Sequence, residues 1–88
     1  MKVQKEENRF FINESDKLVG EITFVKKSNY LIANHTFVNP DYRGQGIAAI
    51  LLEVLVDYAL KNGFKIQAVC SYVRKKFTES DRYNNVKL

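Results

Sequence analysis

An α+β domain is the fold this sequence predicts, and three observations predict it. Residues 9 to 38 carry apolar runs parted by turn residues, 46 to 62 carry a helical pattern, and an apolar strand, "FKIQAVC", follows directly. That order gives a mixed sheet: a three-stranded antiparallel meander, then a right-handed β-α-β crossover, then a short C-terminal helix. With 88 residues and no repeat or linker, the chain reads as a single domain, 1 to 88.

Each element has a local cause. "RFFIN" (9 to 13) is a short aromatic strand, and "NESDK" (13 to 17) has the polar composition of a tight turn. "LVGEITFVKK" follows as the second strand, with Ile22 and Phe24 on one face. Ser28 and Asn29 form a two-residue hairpin loop that returns the chain as "YLIANHTFV" (30 to 38). Strict alternation there puts Leu31, Ala33, His35 and Phe37 on one face. From Gly46 to Asn62, Glu53, Asp57 and Lys61 stand four apart as a narrow polar stripe on an otherwise apolar helix, so that helix must lie on the sheet. Asn62 and Gly63 suit its left-handed C-terminal turn. Residues 65 to 69 then run parallel to 30 to 38, and Ser71 is placed to cap a last helix with Val73 and Phe77 on one face. The polar stretch 78 to 88 is expected to be loosely held.

Composition excludes several classes of function. A hydrophobic fraction of 45% and a charged fraction of 27% belong to a globular protein, folding as a monomer or weak homodimer. The net charge of +4 favours an anionic ligand, but no long basic run or clustered aromatic and basic surface strand points to nucleic acid. "MKVQKEENRF" has no apolar signal core, and Glu53 and Asp57 interrupt the longest apolar run before it could span a bilayer. No membrane association and a cytoplasmic location are therefore expected. Cys70 is the single cysteine, so neither an internal disulfide nor an all-cysteine metal site can form, and no metal is expected.

The stretch "NPDYRGQGIAAILLEVL" (39 to 55) is the most informative part of the chain. It lies between a strand end and a helix start, where first-turn amides lack intrahelical acceptors and the helix dipole adds partial positive charge. Glycine lets the backbone approach a phosphate, and Arg43 adds a full charge, so the stretch reads as an anion site. A loose G-x-G-x-x-A match at Gly44, Gly46 and Ala49 raises a dinucleotide reading. Context rejects it: five residues separate Val38 from Gly44, and no acidic residue for a ribose stands at 66 to 70. Without a Gly-Lys-Ser or Gly-Lys-Thr, a nucleoside triphosphate loop is excluded too.

"VNPDYRGQGIA", with R-x-x-G-x-A at Arg43, Gly46 and Ala48, resembles the acetyl-coenzyme A pyrophosphate loop of the GNAT acyltransferase superfamily. "HTFV" before the loop and "CSYV" after the helix are similar to small single-domain GNAT-like proteins of the YjdJ type, over residues 9 to 77. One departure is Ala68, where a proline would be expected two places before the cysteine. The resemblance implies acetyl-coenzyme A as acyl donor, its pyrophosphate cradled by the amides of Gly44, Gln45, Gly46, Ile47 and Ala48 and flanked by Arg43. It implies that the backbone of Phe37 and Val38 runs along the pantetheine arm. The acyl group would enter where 30 to 38 and 65 to 69 splay apart. Lys75 and Lys76 are either neighbours of the adenosine phosphates or a solvated helix face.

Acyl transfer to an amine needs a neutral nucleophile, a holder for the developing oxyanion and an acid for the thiolate. Cys70, just before a helix N-terminus that would lower its pKa, could accept the acyl group or protonate the coenzyme sulfur; alternatively it is a small buried hydrophobe. His35, the single histidine, is the candidate general base, or else a satisfied histidine within the sheet. Tyr72 is an acid or packing, and Glu53 and Asp57 are discounted as a solvent stripe. Only about five turn residues stand where the superfamily places the helices that wall the acceptor, so the acceptor side is expected to be open. The expected function is N-acetyl transfer to an amine of a small molecule or of a protein or peptide. The alternative is a non-catalytic acyl-coenzyme A binding or sensing module.

Overall fold

The computed structural model describes residues 1–88. Five strands form one sheet in sequence order: β1 (Gln4–Glu6), β2 (Arg9–Glu14), β3 (Lys17–Lys26), β4 (Tyr30–Val38) and β5 (Lys65–Ala68). The first four pair antiparallel, and β5 joins β4 in parallel after the crossover helix α1 (Ile47–Asn62). A second helix, α2 (Ser71–Glu79), follows β5. The architecture is the predicted α+β meander and crossover, with one strand more. β1 escaped sequence reading because "QKE" is wholly exposed and has no apolar alternation to betray it.

Both helices cover the same face of the sheet. Phe10, Ile12, Ile22, Phe24, Leu31, Ala33 and Ile66 from the strands meet Leu51, Leu52, Leu55 and Ala59 of α1 and Val73 and Phe77 of α2 in one buried cluster. Each fully buried leucine there contributes about 2 kcal/mol by leaving water. The turn between β2 and β3 is two residues, Ser15 and Asp16, both at positive φ (49° and 65°), whose twist matches that of the flanking strands. On the helix-free face Arg9 lies over the Phe11 ring, 3.9 Å from its centroid, and bonds Glu6 and Glu21 at 2.7 Å each.

Three expectations are corrected by the structure. The alternation in β4 is broken by a bulge: Phe24 pairs with Ala33 and Thr23 with His35, leaving Asn34 as the extra residue. Beyond it the faces exchange, so Leu31 and Ala33 point into the core while His35 and Phe37 turn to the helix-free face. Nor is the C-terminal stretch loosely held. Tyr83 and Val86 are buried, and the Phe77 and Tyr83 rings lie 4.9 Å apart. Ile66 donates its amide to Val86 at 2.7 Å and accepts from Leu88 at 2.9 Å. Glu53, assigned by the sequence to the solvent stripe, is the clamp: it accepts from Arg82 at 3.0 Å and from the Tyr83 hydroxyl at 3.2 Å.

Gly20 fixes how closely α1 approaches the sheet. A Cβ there would stand 2.8 Å from Ile47 Cγ2 and 3.0 Å from the Phe37 carbonyl oxygen. Ile47 is the first residue of α1, so the start of that helix rests on a glycine. Gly20→Ala is expected to destabilise the fold by about 1 to 3 kcal/mol through overpacking, less the small gain alanine brings to a strand. Urea unfolding checks this, and a variant as stable as the parent would show that α1 can lift freely.

Candidate active site

The loop between β4 and α1 is built by its own sequence. The Asn39 amide donates to the Val19 carbonyl at 2.8 Å and its side chain to Leu18 at 3.1 Å, which fastens the end of β4 to β3. The Asn39 Oδ1 then accepts from the Asp41 amide at 3.0 Å and starts a single 3₁₀ turn, Pro40–Tyr42. The Tyr42 hydroxyl donates to Glu14 at 2.9 Å and ties the turn to the β2–β3 hairpin. Gly44 (φ 81°) and Gly46 (φ 75°) adopt left-handed backbone, which a side chain would strain, and Gly46 is the N-cap of α1.

From Gly44 to Ala49 no amide donates a hydrogen bond within the chain. These N–H groups gather at the positive end of a helix of 16 residues. All but Gln45 belong to the wall of a pocket of about 320 Å³ formed by Val38, Tyr42, Arg43, Gly44, Gly46, Ile47, Ala48 and Ala49, and bounded on the α2 side by Tyr72 and Lys76. Arg43 is exposed and pairs with no carboxylate in the chain. Lys76 makes a loose contact with Glu79 at 3.9 Å and lies over the Tyr72 ring, 5.7 Å from its centroid. Unpartnered amides and two cations on one concavity suit a polyanion such as a pyrophosphate. Gln45, Phe37 and Lys75 are not on its wall.

Beside this pocket the sheet opens. β4 and β5 are paired from Tyr30 and Lys65 to Ala33 and Ala68, and there the ladder stops. The Ala33 carbonyl accepts from both Val69 (3.0 Å) and Cys70 (2.8 Å), and β5 turns away into α2. The bond from Asn39 to Val19 sets the phase of the β3–β4 ladder, so Phe37 and His35 direct their backbone groups to β3. The N–H and C=O groups of Thr36 and Val38 are those left facing the gap. Of the two residues expected to lend their backbone to a ligand, the register therefore frees that of Val38 and commits that of Phe37.

Cys70 sits at the apex of the opening. It is the N-cap residue of α2, where Ser71 had been expected, because its extended backbone (φ −61°, ψ 133°) turns the strand into the helix and its carbonyl accepts from Arg74 at 2.9 Å. Its thiol lies 3.3 Å from the Thr36 hydroxyl. Burial pushes the thiol up, but the Thr36 hydroxyl and the amides of Val73, Tyr72 and Thr36 outweigh it and hold the sulfur below its ordinary value. The α2 amides act on the sulfur as dipoles, without a formed capping hydrogen bond. The neighbouring Tyr72 phenol is pushed up, chiefly by burial, and so stays protonated.

His35 is not brought to this thiol. It pairs with Thr23 on the helix-free face, is exposed, and its imidazole has no hydrogen-bond partner in the chain. Thr36 and Lys76 are the residues that sequence reasoning undervalued. For Thr36 the one available signal was the polar pair Asn34 and His35, which interrupts an apolar alternation where a bulge falls.

Because the thiol is held below its ordinary value, more of it is thiolate at neutral pH than in a free cysteine. Alkylation of Cys70 by iodoacetamide is expected to reach half its alkaline rate at a lower pH than N-acetylcysteine does. A midpoint at or above that of the free thiol would mean that burial outweighs the amides and the hydroxyl.

Comparison with known proteins accords with this geometry. Residues 9–86 match the family model for the GCN5-related N-acetyl-transferase. A GCN5-like protein from Staphylococcus aureus, solved by NMR, shares 31% identity over 99% of this chain and 87% of its own, with a TM-score of 0.83. Two enzymes of lower identity share the fold. The ribosomal-protein-alanine N-acetyltransferase of Brucella melitensis aligns with 96% of this chain and 66% of its own, at 22% identity and a TM-score of 0.64. The ribosomal-protein-S18-alanine N-acetyltransferase of Escherichia coli aligns with 70% of this chain and 43% of its own, at 24% identity and a TM-score of 0.59. A search of curated proteins found no match. A family model spanning nearly the whole sequence, on a sheet that opens beside a glycine loop, establishes that this chain belongs to the GCN5-related N-acetyltransferase family.

Proposed function

We propose that the chain binds acetyl-coenzyme A and transfers its acetyl group to an amine. The observation that carries the reading is the run of unpartnered amides from Gly44 to Ala49, flanked by Arg43 and Lys76 and contiguous with the open edge of β4. In this reading Arg43 and the amides of Gly44, Gln45, Gly46, Ile47 and Ala48 hold the pyrophosphate. The Val38 backbone guides the pantetheine arm along β4, with Phe37 beside it. The thioester supplies an activated acyl group at the gap. Cys70 meets it there, either accepting the acyl group or returning a proton to the departing thiolate. His35 takes the proton of an amine that approaches from the helix-free face. A lone free thiol accords with a reducing, cytoplasmic setting, and no helix is long and apolar enough to cross a membrane.

The β1–β2 and β2–β3 turns are two residues each, Glu7–Asn8 and Ser15–Asp16, and leave the acceptor side without a wall. An amine on a protein or peptide, or a small amine held by a second copy of the chain, fits that openness. The same feature favours a second reading, in which the chain binds or senses acyl-coenzyme A without catalysis.

Titration with acetyl-coenzyme A, followed by backbone NMR, tests binding. The amides of Gly44 to Ala48, Val38 and Cys70 are expected to shift together and saturate, and Arg43→Ala to weaken affinity by about tenfold through one lost charge-assisted contact. Amides that stay still at millimolar ligand would remove the cofactor site. Turnover separates the two readings. With an amine acceptor in hand, Cys70→Ala and His35→Ala are each expected to lower the rate by 10²-fold or more at unchanged coenzyme affinity. Rates equal to the parent's would remove both residues from the chemistry, and absence of turnover with every class of amine leaves the binding module.

A further inference from the structure

Thr36 has no part in the reading above, yet it is the side chain that touches the thiol. Strict alternation would have turned His35 toward the helices. The extra residue Asn34 instead exchanges the faces, and Thr36, paired with Ile22, takes the place beside Cys70. We infer that Thr36 is the positioning residue of Cys70, its hydroxyl holding the sulfur at the apex of the β4–β5 opening in both protonation states.

Three features carry the inference. The 3.3 Å contact with Cys70 Sγ is the only hydrogen bond the Thr36 hydroxyl makes, so no competing partner draws it away. A hydroxyl can donate to a thiolate or accept from a thiol, so the contact survives a change of protonation. The side chain is also stiff: threonine is β-branched, and its neighbours His35 and Phe37 direct their backbone groups to β3, so the oxygen is fixed relative to the strand that borders the gap.

No full charge competes for this role. From β4 the sulfur meets Thr36, and from α2 it meets Tyr72 and the first amides of the helix. Arg74 directs its guanidinium to the Val69 carbonyl at 3.0 Å, while Arg43 and Lys76 face the loop pocket that Tyr72 borders. The exposed His35 lies across the sheet. Removing the hydroxyl therefore removes the main side-chain contact of the thiol without unpairing a charge.

The inference rests on the reading of Cys70 as the group that meets the thioester, but its test needs no turnover. Cys70 is the only thiol, so its alkylation by iodoacetamide can be followed against pH in the intact protein. In Thr36→Val the midpoint is expected to move up and the rate at neutral pH to fall roughly tenfold, with an alkaline plateau no lower than the parent's because a more basic thiolate is the better nucleophile. Thr36→Ser is expected to return the midpoint to the parent value. A purely structural residue would behave otherwise, its loss speeding alkylation at every pH with the midpoint unmoved.

An unmoved midpoint in a folded Thr36→Val overturns the proposal. If that variant does not fold, Thr36→Ala and Thr36→Ser decide, and equal midpoints in the two overturn it. Failure of the catalytic reading looks different: Cys70→Ala would keep full turnover while Thr36→Val still shifted the midpoint.

Discussion

The structure depends on where the parallel ladder between β4 and β5 ends. Pairing stops at Ala33 and Ala68, and the next residue of β4, Asn34, is the bulge. One inserted residue does three things at once. It bends β4 away from β5, it exchanges the faces of the strand, and it leaves the backbone of Thr36 and Val38 without a protein partner on that side. Elsewhere in a small sheet unpaired polar groups would be a defect. Here they line a gap that opens toward a helix N-terminus, so backbone groups denied a strand are available to an extended ligand.

The surrounding elements hold that gap open. The Ala33 carbonyl accepts two amides and pins the start of the divergence, while the chain beyond α2 returns to Ile66 and secures the outer edge of β5. Glu53 grips that returning segment through Arg82 and Tyr83, so the crossover helix and the tail brace β5 from the far side. With β3 fastened to Asn39 and β5 fastened to the tail, neither wall of the gap is free to collapse onto the other.

Much of this was legible in the residues. The order of elements follows from periodicity alone, and the loop follows from an arginine, two glycines and a helix arriving together after a strand. What sequence could not show is where a two-residue period slips. A bulge adds one residue without changing composition, so alternation put His35 and Phe37 on the same face as Leu31 and Ala33 and passed over Thr36. The tail was misread for a related reason: Tyr83 and Val86 are buried singly among polar residues, a spacing with no helical or strand period. Glu53 was misread because its partners lie 29 and 30 positions away.

The hairpin turn at Ser15 and Asp16 joins β2 to β3 by the shortest route a hairpin allows. It stands at the surface, away from the core, and lengthening such a loop costs little in closure entropy, with each doubling adding about 0.6 kcal/mol. A longer segment grafted there would begin beside Glu14, which accepts from the Tyr42 hydroxyl, so keeping Glu14 keeps the turn that leads into the glycine loop tied to the hairpin. In this architecture the surface is modular: a stretch of chain can be added at one hairpin while the strands, the gap and the glycine loop keep contacts of their own.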